Sequence, residues 1–350
     1  MPKSKSSDKK PKIYLGLDLG GTKMMMSAIT PQLKVLNRVR KKTHANKGAK
    51  DGMRRMIKGI QTCLEEIGEH ELLGIGVGCP GPIDRESGII GYLPNLKWRR
   101  IPIVDILGKE FDCPVSLNND VNMGAYGEVK MGAAQGFKNV IGIFPGTGIG
   151  GAIVLDGKLV SGVNGYAGEI GHVCVMPNGP LCGCGNFGCL EALAGRLAVA
   201  RQAATAAIRG EAPFLLKNSG TDVTKIKSSD LSEAIAGGDK VIETIVHRTA
   251  RLIGYAAADI CTLLNPDMII LGGGLVEAMS RIYIDEISAG IKERALSFSK
   301  RAVKVRKAKL GDDAVVLGAA ITLMEELGED VDAAVAACTK KKPKKGKKAG

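Results

Sequence analysis

Short apolar runs separated by glycine-rich turns recur along this 350-residue chain. Ile13–Leu19 is a β-type run that predicts a buried strand, and Leu73–Val77 predicts another. Helical spacing of apolar residues instead predicts helices over Asp51–Ile67 and near Val241–Leu264. Strands and helices therefore alternate, which indicates an α/β protein.

Two segments of the chain share one pattern. Tyr14–Thr30 and Ile141–Val160 each run from a strand through a Gly/Thr turn to a second strand, a tight turn and a third strand. This repetition predicts a duplicated α/β unit with one phosphate-binding hairpin in each half.

The two Gly/Thr turns fit neither common nucleotide-binding motif. Gly146–Gly151 satisfies G-x-G-x-x-G, and Gly16–Lys23 is close to a P-loop, but both motifs need a helix next. A β-type run follows each turn, which excludes both motifs. Backbone N–H groups and threonine hydroxyls of the two turns could still hold a triphosphate, although such turns also simply close hairpins. The candidate phosphate-binding residues are Gly20, Gly21, Thr22, Lys23, Gly146, Thr147 and Gly148.

Polar side chains near the predicted strand ends are candidates for catalysis and substrate binding. Asp18 precedes the first turn, where a carboxylate can hold Mg²⁺ through water. Asn119 and Asp120 lie between a strand and a helix, so Asp120 could act as a general base or could cap the helix. Asn95 lies in a loop and is a candidate hydroxyl binder.

A cluster of metal-binding residue types follows in the second half of the chain. His172, Cys182, Cys184 and Cys189 have the spacing H-x9-C-x-C-x4-C, which fits a closed tetrahedral zinc site with a structural role. Glu169 and Glu191 bracket this cluster, and a Cys3His zinc does not need their oxygens. A sugar is the natural ligand for them, and solvated glutamates beside a bare zinc knuckle are the alternative.

Most of the net charge of +13 lies at the two ends of the chain. Lysines crowd residues 1–12 and 337–350, and the segment between is close to neutral. The two tails are therefore predicted to be disordered and solubilising, with weak, salt-sensitive attraction to nucleic acid as the alternative. The nine cysteines and the lack of a secretory signal or an apolar span indicate reduced thiols and a cytoplasmic protein without a membrane segment.

A series of motifs runs along the chain in a fixed order: Asp18–Lys23, Gly76–Gly81, Pro94–Trp98, Asn119 with Asp120, Gly146–Gly151, Glu169–His172, the cysteine cluster and Leu271–Gly274. Taken together, these motifs resemble the ROK family of sugar kinases and repressors over about Ile13–Leu327. The loop at Pro94–Trp98 and the run before Cys184 are most similar to those of bacterial glucokinases in that family.

The resemblance implies an actin-like ATPase (ribonuclease H-like) fold, with two α/β domains around a central cleft and a zinc-binding loop. It places the smaller domain at 13–127 with about 313–336, and the larger domain at 128–312. It also implies a homodimer that takes ATP and a sugar as its small-molecule partners, with Mg²⁺ and structural Zn²⁺.

The resemblance further implies a role for each site residue. Asp120 would be the catalytic base for the sugar 6-hydroxyl, and Gly273 and Gly274 would lie near the adenosine. His172 would bind zinc through one ring nitrogen and the sugar through the other. The residues expected to hold the other sugar hydroxyls are Asn95, Asn119, Glu169, His172 and Glu191.

The implied activity is ATP-dependent phosphorylation of glucose. A kinase for mannose, N-acetylglucosamine or fructose is the main alternative, because placement of hydroxyl partners decides the sugar. A sugar-responsive regulator would carry a winged helix before the first phosphate turn. We expect no such domain here, because the segment before Asp18 is too short for one.

Overall fold

The structure is a computed structural model that describes residues 10–93 and 96–340. The chain divides into two compact units. Unit 1 contains the residues up to 131 and those from 310 onward, and unit 2 contains residues 132–309.

Strands and helices alternate through most of both units. The strands are β1 Lys12–Leu19, β2 Lys23–Ile29, β3 Val39–Lys42, β4 Glu71–Cys79, β5 Ile83–Asp84, β6 Ile89–Leu93, β7 Trp98–Ile101, β8 Val115–Asn119, β9 Val140–Pro145, β10 Ile149–Leu155, β11 Lys158–Leu159, β12 Met268–Leu271 and β13 Lys304–Lys307. The helices are α1 Gly48–Glu65, α2 Ile103–Phe111, α3 Asp120–Met131, α4 Leu190–Ala194, α5 Arg196–Ile208, α6 Pro213–Ser219, α7 Ser228–Ala236, α8 Lys240–Leu264, α9 Gly274–Ala278, α10 Ser280–Arg294, α11 Ser297–Ala302, α12 Asp313–Glu326 and α13 Val331–Lys340.

Unit 1 is built on a five-stranded mixed sheet in the order β3-β2-β1-β4-β8. Strands β1, β4 and β8 are parallel, and β2 and β3 join as antiparallel neighbours. Gly16 of β1 pairs with Gly76 of β4, and a Cβ on either would lie 2.1 Å from a backbone oxygen of α12. Helix α12 therefore packs directly on a face of the sheet that lacks side chains at this point.

Unit 2 repeats this arrangement with the sheet β11-β10-β9-β12-β13. Strands β9 and β10 are antiparallel, whereas β9, β12 and β13 are parallel. The two five-stranded sheets thus have the same strand order, and each contains a hairpin with a glycine-containing turn, β1–β2 in unit 1 and β9–β10 in unit 2. Helices α8 and α10 of unit 2 cross closely at Gly254 and Gly290. A Cβ on Gly290 would lie 2.9 Å from the backbone of Gly254, so the crossing depends on the missing side chain.

Two elements differ from the sequence pattern. The helical run near Leu190–Ala207 is broken at Gly195, whose extended backbone separates α4 from α5. A Cβ on Gly195 would lie 3.3 Å from the Gly148 Cα, so the chain at this break lies against the turn between β9 and β10. Helix α13 runs to Lys340 and therefore includes the first residues of the segment 337–350 that was expected to be a disordered tail.

None of the helices among the described residues combines the length and the apolar character that crossing a membrane requires.

Candidate functional site

The carboxyl ends of three parallel strands bring the polar candidates of unit 1 together. Asp18 of β1 pairs in register with Gly78 of β4, and Cys79 of β4 pairs with Asn119 of β8. Asp120 follows directly as the first residue of α3. A Cβ on Gly78 would lie 3.5 Å from the Asp120 Cα, so the two acidic residues flank this glycine. Residues that are distant in sequence thus share one edge of the sheet.

The Asp18 carboxyl lies in an environment that disfavours its charge. Burial and the neighbouring Asp120 carboxylate raise the pKa of Asp18 to about 7, although Lys23 acts in the opposite direction. Burial, together with the same two aspartates, raises the pKa of the Cys79 thiol. A divalent cation beside these two carboxyl groups would favour their charged forms, so the residues fit Mg²⁺.

Hydrogen bonds to backbone N–H groups orient the side chains at the start of α3. The Asn119 Oδ1 accepts a bond of 3.1 Å from the Asn122 N–H, which is the bond of a helix cap. The Asp120 Oδ1 accepts a bond of 2.9 Å from the Val121 N–H. Asn119 therefore caps the helix through its side-chain oxygen, and its amide NH₂ can still donate a hydrogen bond. The Asp120 carboxylate is oriented by the Val121 N–H.

The first Gly/Thr turn connects β1 and β2 in unit 1. The Gly20 N–H donates to the Lys23 carbonyl at 3.0 Å, and the Thr43 hydroxyl donates to the Gly20 carbonyl at 2.7 Å. The Lys23 ammonium pairs with Asp312 at 3.1 Å, at the start of α12. Lys23 was expected to bind phosphate, and Asp312 is a partner that the sequence analysis did not identify.

The four predicted metal ligands converge in unit 2. The ligand atoms of His172, Cys182, Cys184 and Cys189 all lie within 4.8 Å of one another. The His172 Nδ1 lies 3.6 Å from the Cys182 Sγ, and the Cys184 and Cys189 sulfurs lie 3.7 Å apart. A tetrahedral zinc with Zn–S bonds of about 2.3 Å would hold sulfurs roughly 3.8 Å apart, so the geometry fits.

Thiol chemistry supports a cation at this cluster. Burial raises the pKa of the Cys189 thiol to about 12, so its thiolate needs a positive partner at neutral pH. The N–H of Asn186 lowers the pKa of Cys184. Cys174 is exposed and pairs with Cys189 only through the backbone, and it is not among the four converging residues.

Both glutamates that bracket the metal cluster lie beside it. The Glu169 carboxylate is 3.9 Å from the His172 Nε2, so the two ring nitrogens of His172 face different partners. One Glu191 oxygen is 4.0 Å from the Cys182 Sγ, and the other accepts a bond of 2.9 Å from the Ile149 N–H. Residues 172–189, which carry the four predicted ligands, form the metal loop. Glu191 thus connects the metal loop with the second Gly/Thr turn.

The second turn is shaped by its contacts with Glu191 and with α5. A Cβ on Gly148 would lie 2.0 Å from a Glu191 carboxylate oxygen, so a side chain there would displace that carboxylate. The Gly146 N–H donates to the Gly148 carbonyl at 2.8 Å, and the Arg196 N–H donates to the Gly146 carbonyl at 2.9 Å. The Arg196 side chain also donates to the Thr147 hydroxyl at 3.3 Å, a contact that the sequence analysis missed.

The glycines after β12 lie next to the second turn. Gly273 has a positive φ of 83°, and a Cβ there would lie 2.7 Å from the Pro145 carbonyl oxygen. A Cβ on Gly274 would lie 3.3 Å from the Ser228 hydroxyl at the start of α7. Unit 2 therefore brings together Gly146, Thr147, Gly148, Gly273 and Gly274.

One predicted site residue has no structural description. Asn95, together with Pro94, lies outside the described residues. The nearby Trp98 is fully buried in the core of unit 1, which is the role of a packing residue.

Comparison with known proteins identifies relatives over nearly the whole chain. The ROK family profile matches residues 14–326. A glucokinase of Thermotoga maritima is 34% identical over 320 residues, which cover 91% of this chain and 99% of the relative. A xylose repressor of Caldicellulosiruptor bescii is 31% identical over 256 residues, covering 73% of this chain and 63% of the repressor.

Solved structures give the same result for the fold. The crystal structure of a ROK family glucokinase from Streptomyces griseus in complex with glucose and AMPPNP has a TM-score of 0.75 and 33% identity. The match covers 88% of this chain and 98% of that chain. The fold is therefore the actin-like ATPase fold of the ROK kinases, with mixed α/β sheets.

We predict that the stability of the chain depends on the titration of Asp18. The folded state keeps a proton on Asp18 up to a pH of about 7, whereas the unfolded state releases it near the ordinary value of 3.8. The stabilisation is present at low pH and is lost as the pH rises towards 7. From pH 5 to 8, the wild type should lose roughly 2–3 kcal/mol of unfolding free energy relative to Asp18→Asn.

Urea titrations without nucleotide or Mg²⁺ measure this difference. The control is Asp105→Asn, an exposed aspartate of α2 in the same unit, whose profile should follow the wild type. Parallel profiles for the wild type and Asp18→Asn would contradict the prediction.

We predict that the cysteine cluster binds zinc and that Cys184→Ser releases it. A serine hydroxyl is a poor zinc ligand, so the bound zinc should fall from about one per chain to a small fraction. Elemental analysis of the purified protein measures this. Cys174→Ser removes a thiol of the same loop outside the cluster and should keep its zinc. Equal zinc contents in the two variants would show that the ligand assignment is wrong.

Proposed function

Because this chain belongs to the ROK family, we propose that it is a sugar kinase that transfers the γ-phosphoryl group of ATP to the 6-hydroxyl of glucose. The observation that carries the proposal is the position of Glu191 in unit 2. Its carboxylate bonds to the Gly/Thr turn and lies beside the metal loop that holds His172. A residue suited to a sugar hydroxyl therefore contacts a turn suited to phosphate.

In this proposal, Asp120 is the general base. Its carboxylate would accept the proton of the 6-hydroxyl as that oxygen attacks the γ-phosphorus. The Val121 N–H fixes one carboxylate oxygen, which holds the side chain in one orientation. Phosphoryl transfer depends on positioning more than on basicity, so a fixed carboxylate suits the role.

Asp18 would hold Mg²⁺ through water. When bound, the cation would neutralise charge on the phosphates of ATP. The chain's own contribution is the Asp18 carboxyl, whose pKa is kept high by burial and by the neighbouring Asp120 carboxylate until a cation arrives.

Glu169, His172 and Glu191 would bind sugar hydroxyls, with Asn119 and Asn95 as further partners. Carboxylates accept hydrogen bonds from hydroxyl groups, and the Asn119 NH₂ can donate one. Zinc, held by His172, Cys182, Cys184 and Cys189, would orient the imidazole so that its Nε2 faces Glu169. Four protein ligands close the coordination sphere, so the role of the metal would be structural.

ATP would contact both turns and the glycines after β12. Residues 20–23 and 146–148 would bind its phosphates through backbone N–H groups and hydroxyls, and Gly273 with Gly274 would lie near the adenosine. The homodimer, the cytoplasmic location and the weak nucleic-acid contact of the tails remain predictions.

The xylose repressors among the relatives support a second candidate, a sugar-responsive regulator. A regulator needs to bind its sugar but does not need a general base. The effect of removing the Asp120 carboxylate on turnover therefore separates the two functions.

We predict that Asp120→Asn lowers kcat for glucose phosphorylation by roughly 10²–10⁴ and leaves KM for glucose within a few fold. The amide keeps the size of the side chain and loses the basic oxygen. A coupled assay of glucose-dependent ADP release measures both constants. Asp105→Asn, in the first turn of α2, removes an exposed carboxylate of the same unit and should keep wild-type turnover. A kcat within a factor of about three of wild type for Asp120→Asn would exclude Asp120 as the base.

A further inference from the structure

Arg196 connects three parts of unit 2 that the proposed nucleotide site uses. Its guanidinium donates to the Thr147 hydroxyl at 3.3 Å and to the Ile226 carbonyl at 2.7 Å. Its backbone N–H donates to the Gly146 carbonyl at 2.9 Å. One residue at the start of α5 therefore contacts both the second Gly/Thr turn and the segment before α7.

The start of α5 also sets the direction of the peptide groups in the turn. The N–H groups of Arg196 and Leu197 bind the carbonyls of Gly146 and Thr147. In a trans peptide the carbonyl and the N–H point in opposite directions. The N–H groups of Thr147 and Gly148 are consequently directed away from α5, as an anion-binding turn requires.

The segment bonded by Arg196 leads to the other end of the proposed nucleotide site. Ile226 is buried, and Ser228 two residues later starts α7. The Ser228 hydroxyl lies beside Gly274. Arg196 thus connects the second Gly/Thr turn with the segment before α7, which lies next to the proposed adenosine position at Gly274.

The charge of Arg196 is available to a ligand. Among the described residues, no carboxylate forms an ion pair with Arg196. Arg251 on α8, in contrast, pairs with the carboxylates of Glu286 and Glu293. Its two bonds go to a hydroxyl and a carbonyl, which leave the positive charge uncompensated beside the turn.

We propose that Arg196 is a positioning residue for the β- and γ-phosphates of ATP. It holds the second turn in its anion-binding form through Thr147 and adds a positive charge next to it. This inference rests on the proposed function, since it takes the second turn as the phosphate site. It goes further by naming a residue that acts on nucleotide and not on sugar.

The test compares nucleotides of increasing charge on Arg196→Gln. Isothermal titration calorimetry without sugar gives the affinities for AMP, ADP and AMPPNP. The loss of affinity should increase along this series and reach about 10-fold or more for AMPPNP. The reason is that the negative charge of the nucleotide increases with each phosphate, and hydrogen bonds between charged groups are stronger than neutral ones. In the ADP-release assay, KM for ATP should rise by a similar factor while KM for glucose stays within about twofold.

Two further variants separate a positioning role from a loss of structure. Arg196→Lys keeps the charge and should recover part of the AMPPNP affinity. Arg201→Gln removes an arginine of the same helix that bonds to the Ala192 carbonyl at 3.3 Å, and it should bind all three nucleotides as the wild type does.

Equal losses for AMP, ADP and AMPPNP, or no loss, would overturn the role of Arg196. If the wild type binds AMPPNP but does not phosphorylate glucose, the proposed activity fails and the calorimetric series still decides the role of Arg196. If the wild type does not bind AMPPNP, both proposals fail.

Discussion

The hydrogen bond from the Ile149 N–H to Glu191 is the contact on which the site of unit 2 depends. It needs a glycine at position 148, because any side chain there would occupy the place of the carboxylate. It also needs the helix break at Gly195, which turns α5 back onto the carbonyls of the same turn. The turn, the metal loop and α4 are therefore fixed against one another by a single carboxylate.

Unit 1 depends on a different constraint, which is the close approach of α12 to β1 and β4. Glycines at positions 16 and 76 leave room for the helix backbone. Two aspartates at the start of α12 form ion pairs with the strand side of the unit. Asp312 pairs with Lys23 of β2, and Asp313 pairs with Arg38 just before β3. Burial and the neighbouring Asp120 carboxylate raise the pKa of Asp18 at this edge of the sheet, and a divalent cation placed there would favour its charged form.

Local patterns in the sequence predicted much of this arrangement. The spacing of His172 and the three cysteines predicted a set of ligands that the structure brings within 4.8 Å. The apolar runs predicted the central strands, whose parallel ends place Asp18 and Asp120 together. These features depend on neighbours along the chain or on a repeated strand order.

The contacts of Arg196 and Asp312 could not be predicted in the same way. Arg196 reaches Thr147 and Ile226 only because the chain turns at Gly195, and the sequence there predicts a continuous helix. The pairing of Lys23 with Asp312 joins residues from opposite ends of the sequence. Such contacts follow from tertiary packing, which a single sequence pattern does not record.

The most direct test of the account is the rate of ADP release with ATP and Mg²⁺ in the presence of glucose, mannose, N-acetylglucosamine or fructose. The account predicts the highest kcat/KM with glucose and formation of glucose 6-phosphate. A higher kcat/KM for another sugar would be consistent with the proposed mechanism but would contradict the assignment of glucose as the preferred substrate. No sugar-dependent ADP release with any of the four would contradict the central claim that the chain is a sugar kinase.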